Sequence, residues 1–229
     1  MAATTRKNLT GEKLVALGKE KGESLTSAKF HGLKDFTPKH IQSFLEYAGQ
    51  NLRTLHLNSS DHPYQQDERL YQLEWLELAP SLQRFHAKNI LLPAELLAHP
   101  KLKECILQGC RLDGSDVQAT PTLRTLSTND CIMYLDSLTF DQSSQIESLS
   151  FTLDEDCAED FIRTLILDRT AKLIDLYLCV EFPVRVVFKG NLPLLNHATC
   201  QLSEPSHSSY RFDLSQFGGK PSFLSKLRA

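Results

Sequence analysis

The sequence predicts an α/β solenoid of about seven to eight irregular repeats. It has a curved parallel sheet on the concave side and helices and turns on the convex side. Three observations carry this. Leucine accounts for 39 of the 229 residues, whereas glycine and proline number only 10 each. An apolar pattern at positions 1, 4 and 6 recurs across residues 25–202, often with Cys or an apolar residue at 9 and Leu or Met at 11. A short Pro or polar stretch usually precedes each start, as in Ala79-Pro80-Ser81, His99-Pro100-Lys101 and Thr120-Pro121-Thr122. Recurrence at 20–30 residues marks a stack of units that cannot bury their apolar sides alone.

The cleanest copies are adjacent: Leu102, Cys105, Leu107, Cys110, Leu112, and then Leu123, Leu126, Thr128, Cys131, Met133. Looser copies start at Leu25 (Ala28, Phe30, Leu33), Leu52 (Leu55, Leu57), Leu82 (Phe85, Ala87, Ile90, Leu92), Ile146 (Leu149, Phe151) and Leu173 (Leu176, Leu178). A last copy is read at Leu192, Leu195, His197, Cys200 and Leu202. In each, positions 3 to 6 make a short strand, with 4 and 6 inward and 3, 5 and 7 outward.

These Leu-x-x-Leu-x-Leu-x-x-Cys-x-Leu copies resemble a leucine-rich repeat protein, and specifically the cysteine-containing repeats of F-box substrate receptors. No recognisable F-box accompanies them. The resemblance implies the parallel-sheet fold and a protein-binding role. Asp154 and Glu181 depart from the Asn or Cys that the motif carries at position 9.

Between the strands, Thr37-Pro38 reads as an N-cap with proline at the first helical position. Ile41, Phe44 and Leu45 form the apolar face and Gly49 closes the helix. A second helix is expected from Asp156 to Asp168, with Phe161, Ile162, Leu165 and Ile166 toward the core and an acidic start at its positive end. A third is expected over residues 66–79. Phe182 to Phe188 reads as an extra strand. Residues 1–24 are expected to hold an N-terminal capping helix, with Leu9, Leu14 and Leu17 as its apolar residues. The repeat domain covers 25–202, and a C-terminal cap with a flexible tail covers 203–229. Tyr210 to Leu214 is the candidate terminal strand and Gly218-Gly219 the start of the tail.

Composition narrows the function classes. With 25 basic and 28 acidic residues the net charge is −3, so neither nucleic acid nor a membrane surface is an expected partner. The first residues lack a signal peptide's apolar core, and no 18-residue apolar run is present. The six cysteines show no Cys-x-x-Cys pair, which removes the usual zinc-ribbon reading, and most sit inside apolar patterns, which points to a reducing, cytoplasmic or nuclear setting. No phosphate loop, Gly-x-Ser-x-Gly or His-Glu-x-x-His occurs. Asp154 to Asp160 lacks the alternation and central glycine of a calcium loop. Leu91 to Leu97 resembles an F-box opening, but Pro93 at a convex turn accounts for it. No catalytic residue, cofactor or metal is expected.

Stacking gathers a candidate site. The N-terminal half of the concave face collects Lys29, His31, Thr54, His56, Asn58, Arg84, His86 and Lys88 from positions 3, 5 and 7. The far end carries Asp175 and Tyr177. The expectation is a non-enzymatic protein-interaction module, an adaptor or substrate-recognition subunit. Its partner segment carries acidic or phosphorylated groups, with Arg84 as bidentate contact and Tyr177 as aromatic anchor. The alternatives are a regulator of an enzyme, such as a GTPase-activating-type protein using Arg84 or Arg111, and a ubiquitin-ligase substrate receptor.

Overall fold

In a computed structural model the described residues are 2–7, 9–33, 37–59, 75–152, 162, 164–180, 185–189 and 192–202. The chain begins with β1 (Ala2–Lys7), α1 (Gly11–Lys21), β2 (Leu25–Leu33), α2 (Pro38–Ala48), β3 (Thr54–Ser59), a single turn α3 (Trp75–Leu78) and β4 (Arg84–Lys88). Strands then dominate: β5 (Leu91–Pro93), β6 (Glu104–Gln108), β7 (Arg111–Asp113), β8 (Asp116–Gln118), β9 (Thr125–Asn129), β10 (Ile132–Tyr134) and β11 (Ser137–Phe140). They continue as β12 (Ser148–Thr152), β13 (Thr164–Asp168), β14 (Asp175–Val180), β15 (Arg185–Lys189) and β16 (His197–Leu202).

Three parallel sheets result. The largest has nine strands in the order β1-β2-β3-β4-β6-β9-β12-β14-β16; the others run β10-β7-β5 and β15-β13-β11-β8. The chain is therefore α/β with parallel sheets and few helices. Positions 4 and 6 of the copies from Leu25 to Leu173 are buried, from Ala28 and Phe30 through Leu176 and Leu178. Thr128, an inward position 6, is fully buried, and its hydroxyl has no hydrogen-bond partner among the described residues.

Most units open with the same turn, whereas the Ile146 N–H donates to Ser144 Oγ at 3.3 Å. The N–H of Leu82 donates to the Ala79 carbonyl, Leu102 to His99, Leu123 to Thr120 and Leu173 to Thr170, at 3.0–3.1 Å. Four of the strands then leave through a left-handed residue at position 8: Gly32 (φ 64°), Asn89 (54°), Gly109 (56°) and Asp130 (51°). Asn, Asp and Gly are the residues that tolerate this region. The corners stack by backbone bonds, Asn89 N–H to Gln108 O at 2.9 Å and Gly109 N–H to Asn129 O at 2.8 Å.

Helix α2 forms where expected, with the Thr37 N–H donating to His40 Nδ1 at 3.0 Å. Its Phe44 meets Phe30 edge to face at 5.2 Å. Helix α1 lies within the 1–24 segment expected to hold the capping helix, but residues 2–7 form a strand. β1 pairs in parallel with β2, and Thr26 Oγ1 donates to the Ala2 carbonyl at 3.2 Å. Between the later strands one short 3-10 helix forms at Ala94–Ala98 among the described residues. From Leu91 onward the connecting segments supply strands to the two smaller sheets.

The clearest difference lies at 164–168. The helix expected over Asp156 to Asp168 is a strand over its last five residues. Leu165 and Leu167 are buried while Thr164, Ile166 and Asp168 are half-buried, a two-residue alternation that a helix would not produce. Its backbone pairs with β11 and β15 on either side. Ile162 of that segment is described and buried, while its other residues before Thr164, and Asp154 ahead of it, fall outside the described residues. So do Glu181, all but Trp75–Ala79 of the 66–79 helix, Phe182 to Val184 of the extra strand, and residues 203–229.

Candidate functional site

The parallel register of the nine-stranded sheet places side chains in rows across its exposed face. Lys29 pairs with His56, and His56 with His86. Thr54 lies beside Arg84 and Asn58 beside Lys88. Seven of the residues picked from sequence are thus neighbours on β2, β3 and β4. His31 is set apart, because the register between β2 and β3 breaks after Phe30, where Gly32 turns left-handed. It pairs instead with Lys7 of β1. Asp175 and Tyr177 do not join the cluster: β14 is four strands from β4, about 19 Å at the usual strand spacing.

The cluster is dominated by cations. The His56 and His86 rings stack with centroids 4.0 Å apart and planes 34° apart. Burial, then the charges of His86, Lys29 and His31, hold the His56 pKa down to about 4, with Glu104 opposing. His56 is therefore neutral near pH 7. Glu104, next to Arg84 in the ladder, was not expected to take part, yet its Oε1 meets His86 Nε2. Reading position 3 across adjacent copies is the signal that would have found it. No salt bridge reaches Lys29, Arg84 or Lys88 among the described residues.

Across the face the row continues Ile106, Ser127, Ser150 and Tyr177. The last copy sits three residues later than its sequence reading. Leu195 opens it, with its N–H on the Leu192 carbonyl at 3.2 Å, and His197, not Leu194, pairs with Asp175. His197 Nδ1 lies 2.9 Å from Asp175 Oδ1 on an exposed surface.

The buried thiols are chemically quiet. Burial pushes the Cys105 thiol up, and hydrogen bonding with Cys110 together with burial does the same for Cys131. The Cys110 N–H points at Cys131 Sγ at 3.4 Å. Such thiols pack as small apolar groups. Among the described residues, no group of three or more His, Cys, Asp or Glu side chains is placed to hold a metal ion. No described helix is long and apolar enough to cross a membrane. Comparison with protein-family models, with curated proteins and with solved structures found no match.

Proposed function

We propose that this chain is a leucine-rich repeat interaction module, non-enzymatic, whose sheet face binds an acidic or phosphorylated segment of a protein partner. The observation that carries this is the group Lys29, Arg84 and Lys88 around a stacked histidine pair, with Glu104 the only described carboxylate in direct contact with it. Several cations held beside a single carboxylate repel one another, and a ligand anion relieves that repulsion. Arginine also offers a planar fork to carboxylate or phosphate.

The repeat reading rests on the recurrent opening turn, the left-handed position 8 and the shared register. It makes residues 25–202 the repeat array, with residues 1–24 and 203–229 as its flanks. The free thiols Cys105, Cys110 and Cys131 fit a reducing cytoplasmic or nuclear setting. The cysteine-bearing copies favour, as a second reading, a substrate-recognition subunit of a ubiquitin ligase; co-purification with the ligase's adaptor subunit would support it.

The test compares proteins captured from cell extract by the native chain and by the double variant Arg84→Glu, His86→Ala, with and without phosphatase. The expected result is loss of a set of acidic or phosphorylated partners, with a melting temperature changed by no more than about 2 °C. Equal capture by both chains would place the interface elsewhere.

A further inference from the structure

The geometry points to a partner segment that lies extended across the strands and carries two apolar residues four apart, with its acidic group two residues outside the first. This rests on the acidic-partner reading and adds the register in which the segment is held.

Two large apolar side chains stand exposed on the same row: Ile106 at 36% and Tyr177 at 38%. Between them the row holds only Ser127 and Ser150. Two short polar side chains between two larger apolar ones leave a shallow saddle with a post at each end. Three strand intervals separate the posts, about 14 Å. An extended chain advances about 3.4 Å per residue and returns to the same face every second residue. Residues i and i+4 therefore meet both posts, about 13.6 Å apart, from the same side. A helix needs nine to ten residues to span about 14 Å, and that residue faces away from the sheet.

The charges set the phase. Two residues before the first apolar anchor, the segment stands about 7 Å beyond Ile106. That point lies between His86 and His56, with Arg84 and Lys88 on either side of the row. An acid directly over β6 would instead meet Glu104, which shares that strand with Ile106. Like charges there oppose any slip by one strand.

The probes are short labelled peptides of serine and threonine, bearing aspartate or phosphoserine and two leucines, read by fluorescence anisotropy. One series spaces the leucines four apart, others three and five apart; one has the acid alone, and the spaced pattern is made in both chain directions. Burial of two apolar side chains predicts at least about tenfold tighter binding for the four-residue spacing than for the acid alone. Ile106→Ala and Tyr177→Ala should each remove most of that gain while leaving acid-only binding unchanged, and Arg84→Glu should weaken every peptide. Acidic peptides that bind without any spacing preference would overturn the register and leave the acidic-partner reading standing. No binding by any peptide would overturn both.

Discussion

His56 shows how much of this surface is decided by single side chains. Its ring is half-buried against His86, within reach of the charges of Lys29 and His31, and its pKa falls to about 4. An unfolded histidine titrates near 6.5, so between about pH 6.5 and pH 4 the unfolded chain takes up a proton that the folded chain refuses. Stability is therefore expected to fall with pH through that window, and His56→Gln should flatten the dependence. Urea unfolding at several pH values measures it; an unchanged slope in the variant would place the titration elsewhere. Gly109 is a second decisive residue. Its φ is 56°, and a Cβ there would lie 2.5 Å from Asn89 Oδ1. Gly109→Ala is expected to cost about 1–2 kcal/mol, seen as a lower denaturation midpoint. The glycine and the histidines are visible in the sequence. The partner of His86 is not, because Glu104 lies 18 residues away and only the strand register brings the two together.

Within one element, the segment Phe161 to Leu167, apolar at five of its seven positions, supports two periods. Phe161, Ile162, Leu165 and Ile166 suit a helix face, while Leu165 and Leu167 suit a strand, and β13 takes the second option. The deciding contribution is backbone pairing to β11 and β15, which local pattern does not contain. The two readings separate by substitution. Leu167→Thr is expected to destabilise by about 2–4 kcal/mol and Ile166→Thr by under about 1 kcal/mol; a helix would give the reverse order. Thermal or urea melts of the two variants decide it. The last copy was misplaced for a related reason. Leu192 and Leu195 are three apart and fill the Leu-x-x-Leu template, whereas a start at Leu195 does not. The register puts Ala198 and Cys200 at positions 4 and 6, residue types too small to mark a strand in the sequence. Where the inward residues are large, as at Phe85, Leu107 and Leu126, strand positions were legible from sequence alone. β1 was not, since Ala2, Ala3, Thr4 and Thr5 carry no large apolar residue.

Across the whole molecule, a net charge of −3 conceals a cationic corner three strands wide. Binding of an acidic peptide there should weaken as salt rises from about 50 to 500 mM, because the contacts are exposed or half-buried. Salt-independent affinity would argue against an electrostatic site. Each strand of the large sheet pairs only with its neighbours, so protection should be graded. Hydrogen exchange is expected to be slowest in β4, β6 and β9 and fastest at the outer strands β1 and β16. The constant strand interval has one more consequence. Residues 123–145 hold one complete unit, from Leu123 to the residue before Ile146. Their excision would join one opening turn to the next and leave both posts, Ile106 and Tyr177, in place. The gap between the posts would shorten by one graduation, about 4.8 Å. In that sense the sheet is a ruler, and its length can be edited without redrawing its marks.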